Sequence, residues 1–122
     1  MRSSLVSFLT IFLVGTVHAL AMHTEVAKRT TGTASFYNVG NGTCGVVSKA
    51  TDFVTAIAVP YYNGGASCFK TVTITAYGKT TTAQVVDECP ECSYSSLDFS
   101  IALFEFFAPL GVGSIDIIWS FT

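Results

Sequence analysis

Downstream of residue 29 the chain contains no histidine and no arginine; His18, His23, Arg2 and Arg29 all lie at or before that point. Without imidazole there can be no Ser-His-Asp or Cys-His pair and no nitrogen ligand for a metal. Charge is scarce, at 11% of residues, and what remains is acidic. Over residues 30–122 the lysines 49, 70 and 79 stand against Asp52, Asp87, Glu88, Glu91, Asp98, Glu105 and Asp116, a net charge of −4. That balance lacks the basic footprint of nucleic-acid binding. No apolar run beyond residue 21 is long enough to span a bilayer, so a membrane is not an expected partner. Internal repeats and low-complexity tracts are missing too.

The first residues have a different character. Arg2 precedes an uncharged apolar run from Leu5 to Val17, followed by VHALA with small residues at Ala19 and Ala21. A basic start, a short apolar stretch and an A-x-A site predict a secretory signal peptide over residues 1–21. Residues 22–29 then form a tail or propeptide. Lys28-Arg29 reads equally as a processing site or as two solvated charges. The remainder, 30–122, is expected to be one secreted, monomeric domain.

All four cysteines, Cys44, Cys68, Cys89 and Cys92, lie in that domain. An even count in a short exported chain predicts two disulfides. The pair in CPEC has ligand-like spacing, but a structural zinc site needs four ligands and no second pair exists. No metal and no cofactor are expected. A redox centre is disfavoured as well, because CPEC leads into the loop residues SYSS and has acidic neighbours that oppose thiolate formation. Asn41-Gly42-Thr43 is a glycosylation sequon, with Asn41 the candidate acceptor.

Periodicity gives mainly short strands. TGTASFYN (31–38) is β-prone, FVTAIAVP (53–60) reads as a buried strand stopped by Pro60, and YYNGGAS (61–67) as a loop. TVTITAYGKTTTAQVVD predicts a hairpin. Val72, Ile74 and Ala76 form one inward face, Ala83, Val85 and Asp87 the other, and Gly78-Lys79 the turn. Ser100 predicts the N-cap of a short helix over 100–108 that Pro109 and Gly111 end. SIDIIWSF (114–121) alternates with Ile115, Ile117, Trp119 and Phe121 on one face. The pattern is mainly β with one short helix late in the chain, a barrel or sandwich.

Among the acids, Glu88, Glu91, Glu105 and Asp116 read as solvated surface groups. Asp87 and Asp98 stand at junctions, strand to loop and loop to helix. Two acids presented by one loop could share a groove and do acid-base work, as in glycoside cleavage.

GTASFYN, GTCG, the hairpin, VVDECPEC and LDFSIALFEFFAPLGVGSIDIIWSF together resemble the rare-lipoprotein-A-like and barwin-like proteins. The likeness covers about residues 31–121 and is greatest to the single-domain fungal expansin-like proteins called loosenins. It implies a six-stranded double-psi β-barrel with a polysaccharide groove across one face, and non-hydrolytic loosening of cell-wall glycan. It places the essential acid at Asp98, a second polar groove position at Asp87, and groove-lining or sugar-stacking residues at Ser35, Phe36, Tyr37 and Tyr94, with Tyr61 and Tyr62 as further aromatics. It implies Cys44–Cys68 and Cys89–Cys92 pairing. Related endoglucanases carry a catalytic base where this chain has Asn38, and an amide cannot take a proton from water. Two other readings stay open on the same barrel: a secreted cysteine-protease inhibitor or effector with a protease as partner, and a weak glycan-cleaving enzyme.

Overall fold

The computed structural model describes residues 28–122. The expected signal peptide and the tail as far as residue 27 lie outside them. Six strands, β1 (Thr30–Phe36), β2 (Val54–Ala58), β3 (Thr71–Ala76), β4 (Lys79–Cys89), β5 (Leu97–Phe99) and β6 (Ile115–Phe121), are joined by two short helices, α1 (Val59–Tyr62) and α2 (Ile101–Phe107). The strands close into a barrel in the order β1-β5-β2-β4-β3-β6. The β1/β5 and β2/β4 pairs are parallel and the other pairs antiparallel. Among the described residues no helix is long and apolar enough to cross a membrane.

Alternation explains the inward faces. Val72, Ile74 and Ala76 of β3, and Ile115, Ile117 and Trp119 of β6, are buried, while Asp116 and Ile118 are exposed. Trp119 is held at its polar end as well: Nε1–H donates to the Ser95 carbonyl at 2.9 Å. Helix α2 covers one end of the barrel with Leu103, Phe104 and Phe107. Ser100 caps it, accepting from Leu103 N–H at 3.4 Å, and the same hydroxyl reaches Val54 N–H and the Asp52 carbonyl.

Four local expectations are corrected. Residues 61–67 are not simply a loop, because Pro60 enters α1 at its first turn, where a missing N–H costs nothing. The helix count is therefore two. The hairpin turn is Tyr77-Gly78 rather than Gly78-Lys79. Both residues have positive φ, 52° and 74°, as a type I′ turn demands, and Lys79 already pairs with Ala76. LDF forms a strand where a loop was expected, three residues being too few for alternation to show. Finally, Asp87 does not share the inward side of Val85. Thr55 pairs with Val85 but Ala56 with Asp87, so Val86 is an extra, bulged residue. A bulge shifts parity by one and turns the following side chain to the other face.

Candidate functional site: an acidic groove

That shift assembles the site. Ser35 pairs with Asp98, Asp98 with Ala56, and Ala56 with Asp87, so these four residues form one row across β1, β5, β2 and β4. At the usual strand spacing the row is about 14 Å long. Ala56, only 3% exposed, keeps its middle low. Beside the row lies a cavity of about 280 Å³ lined by Ser35, Asp98, Glu91, Cys92, Ser93 and Ser114, among others.

The two aspartates have different surroundings. Asp98 is half-buried and takes one side-chain hydrogen bond, from the Ser35 hydroxyl at 3.1 Å. Burial pushes its carboxyl above the ordinary value; the Ser35 bond works against this, and the charges of Glu91 and Asp87 reinforce it. Its strand is anchored from below, where the buried Thr55 hydroxyl lies 3.0 Å from the Asp98 carbonyl. Asp87 is engaged on both oxygens. Oδ1 accepts from the backbone N–H of Thr43 and of Glu88, each at 2.9 Å, and Oδ2 accepts from the Tyr37 hydroxyl at 3.3 Å. Asp98 thus has acceptor capacity to offer a ligand, and its carboxyl gives up its proton less readily than a solvated one. Asp87 acts instead as a clasp joining β4 to the loop after β1.

Tyr37 belongs to this clasp. Burial, then the Asp87 charge, its hydrogen bond and the Asp98 charge, all raise its phenol pKa, so it stays a protonated donor. Phe36 is not brought to the groove. Strand alternation turns it away from Ser35, and it packs edge-on against Phe104, ring centroids 4.8 Å apart. It is partly buried against the core, on the face away from the Ser35 side chain. Tyr94 is exposed and stands edge-on to Tyr61 at 4.9 Å, and Tyr61 in turn packs on Trp119 at 5.0 Å. The Tyr61 hydrogen bond raises the Tyr94 phenol. Tyr62 is buried, near the Cys68 sulfur. Asn38 and the sequon residue Asn41 are exposed.

Sequence reasoning missed Glu91 and the hydroxyl wall. Glu91 was read as solvated, and it is exposed, yet it lines the cavity beside Asp98. Thr33 and Ser96 hydroxyls lie 3.0 Å apart, and Ser93 and Ser96 2.6 Å apart. The serine density of SYSS was the available signal. The cysteines pair Cys44–Cys68 and Cys89–Cys92, as the resemblance implied. The sulfurs of Cys89 and Cys92 come close to the Asp98 carboxylate. Bonded to one another, they are not thiolates and cannot ligate a metal as such.

No family model matches the sequence. Among solved structures, a mutant Clavibacter michiganensis expansin in complex with cellohexaose superposes with a TM-score of 0.71 at 26% identity, over 78% of this chain and 50% of that one. The fold of this chain is a closed six-stranded double-psi β-barrel similar to that of the expansin. A Streptomyces papain inhibitor matches this barrel nearly as well, with a TM-score of 0.70 at 29% identity over 78% of this chain and 94% of that one. Among curated proteins, the ripening-related protein grip22 of Vitis vinifera is 32% identical over 82 residues, 55% of this chain and 37% of that one. The chain spans less than half the length of the curated relatives it matches. Its two disulfides fit an oxidising, extracellular setting.

Proposed function

We propose that this is a secreted protein of the loosenin kind, which binds a cell-wall polysaccharide along the row from Ser35 to Asp87 and loosens it without hydrolysis. The observation that carries the reading is the state of Asp98. A half-buried carboxyl with a raised pKa, one hydroxyl partner and a cavity beside it can accept hydrogen bonds from sugar hydroxyls and, when protonated, donate one to a glycan oxygen. The expansin neighbour is in complex with cellohexaose, which supports a glycan as ligand. Ser35 positions the carboxyl, Tyr37 and Asp87 hold the far end of the row, and Tyr94 offers an exposed ring face near the Cys89–Cys92 loop.

Hydrolysis would need a second, oriented carboxylate to activate water. Asn38 offers an amide, and Asp87 is occupied by three donors. Glu91 lines the cavity but has no hydrogen-bond partner among the described residues, so nothing holds it as a base. The test is a pull-down on cellulose, chitin and xylan with a wall-extension assay. Asp98→Asn is expected to fold normally and to lose wall weakening. Undiminished weakening by that variant sinks the reading, and reducing-sugar release by the wild type converts it to a hydrolase.

The likeness to the papain inhibitor over 94% of that chain favours a second reading, protease inhibition through the barrel's loops. That activity would not require Asp98. Inhibition of papain that survives Asp98→Asn, with no polysaccharide retained, selects it.

A further inference from the structure

The barrel face that runs from β4 through β3 and β6 to β1, away from the groove, is rich in hydroxyls. On β3, β4, β6 and β1 the outward residues are paired in rows. Thr73 pairs with Thr82 on one side and Ser120 on the other. Thr75 pairs with Thr80 and Ile118, and Ile118 with Thr31. Thr73 and Thr75 are half-buried and already bridged, 3.2 Å to the Thr122 hydroxyl and 2.9 Å to that of Thr80. Two hollows indent this face, of about 270 and 420 Å³, and the Thr75–Ile118 pair lines both. Charge is limited to Arg29 beside the smaller hollow and Asp116 beside the larger, although the domain as a whole is acidic.

At the end of the larger hollow stands Tyr77, 66% exposed. Its φ of 52° is a left-handed backbone that costs a tyrosine on the order of 1 kcal/mol. Asparagine or glycine would close a type I′ turn with less strain. An exposed aromatic held in a conformation unsuited to it points to a task for the ring.

We infer that the β4-β3-β6-β1 face is a second polysaccharide-binding surface, one that lies flat on an insoluble fibre. The inference rests on the polysaccharide reading above but uses none of its residues. Hydroxyls both donate and accept, so a threonine array can pair with sugar hydroxyls in several orientations. The rows repeat every ~4.8 Å across the strands and about 6.7 Å along them, an ordered lattice facing an ordered fibre. A near-neutral face suits a neutral polymer, whereas a polyanion would be repelled by the acidic domain and gain little from Arg29 alone. Protein interfaces concentrate aromatic and arginine anchors in an apolar centre. Here threonine and serine hydroxyls alternate with apolar surface, and Ile118 and Tyr77 are the large apolar side chains exposed among them. Tyr77 would stack on a sugar ring at the rim of the contact.

Two binding measurements separate this face from the groove: retention on microcrystalline cellulose or chitin, and affinity for soluble cellohexaose by calorimetry. Thr73→Glu/Thr75→Glu and, independently, Tyr77→Asn are made in the full chain, with thermal unfolding as the folding control. Fibre retention is expected to fall about tenfold in each, with cellohexaose affinity unchanged. Asp98→Asn is expected to lower cellohexaose affinity and leave most fibre retention intact. Full fibre retention by folded face variants overturns the inference while leaving the groove standing. Absence of fibre binding by the wild type overturns it too. So does a dimer that the same substitutions dissolve, since the face would then bind a second copy. If Tyr77→Asn alone retains fibre, the ring's assigned task is wrong, and the double threonine variant then decides the face.

Discussion

At the scale of single residues, Asp98 and Ser100 are the positions where chemistry and packing are most exposed to test. Burial raises the Asp98 carboxyl above its unfolded value, so the folded protein keeps that proton to higher pH than the unfolded chain. The stability contributed by this group is complete below the unfolded carboxyl value and declines as pH rises through the folded one. Asp98→Asn removes the decline. The variant is expected to unfold at a temperature no lower than the wild type at neutral pH, and to show a flatter dependence of Tm on pH. If wall weakening uses the protonated acid, it is strongest in acid and fades as pH rises through the same folded value. Glu91→Gln removes one of the charges that raise Asp98. The midpoint of the activity profile is therefore expected to move to lower pH; a midpoint that stays put would show that Glu91 takes no part in setting the shift. Ser100 is fully buried, and its hydroxyl reaches Leu103 N–H, Val54 N–H and the Asp52 carbonyl. Ser100→Ala strands these groups and is expected to cost about 2 kcal/mol by denaturant unfolding.

At the scale of elements, the β3–β4 hairpin and the bulge after it do the positioning. Tyr77→Asn puts a residue that tolerates positive φ into the turn and is expected to stabilise the domain by about 1 kcal/mol. A gain in stability with a loss of fibre retention would be a stability–function trade at one residue. Gly32 of β1 meets the Ser95 carbonyl so closely that an added Cβ would land on its oxygen. Gly32→Ala is therefore expected to shift the 93–96 loop, disturbing Ser96 in the groove wall and the Trp119–Ser95 bond. Loss of near-ultraviolet tryptophan signal before global unfolding would report it. The elements differ in how far the sequence disclosed them. Long alternating runs made β3, β4 and β6 legible, and Ser100 announced α2. The bulge at Val86 did not show, because an inserted residue reads as ordinary alternation until the partner strand is known. For that reason Asp87 was placed on the wrong face. Phe36 packs against the core on the face away from Ser35, and a resemblance by motif carries no information on which side of a strand a ring falls. Strand β5 was too short to show at all, yet it carries Asp98 between Ser35 and Ala56.

At the scale of the whole molecule, the disulfides divide the work of confinement. The chain-entropy argument gives the Cys44–Cys68 link, separated by 24 positions, about 3.5 kcal/mol. It gives the Cys89–Cys92 link, separated by 3, about 2 kcal/mol. Replacing the first pair by alanine is thus expected to lower the denaturation midpoint more than replacing the second. The second replacement should act mainly on the groove, because Cys92 lines it. The strand order sets a schedule as well. The first strand is flanked by the fifth and the sixth, so it has no neighbour until the last part of the polypeptide has been synthesised. A nascent chain stopped after β4 would hold an open sheet with unpaired edges, and closure of the barrel waits for β5 and β6.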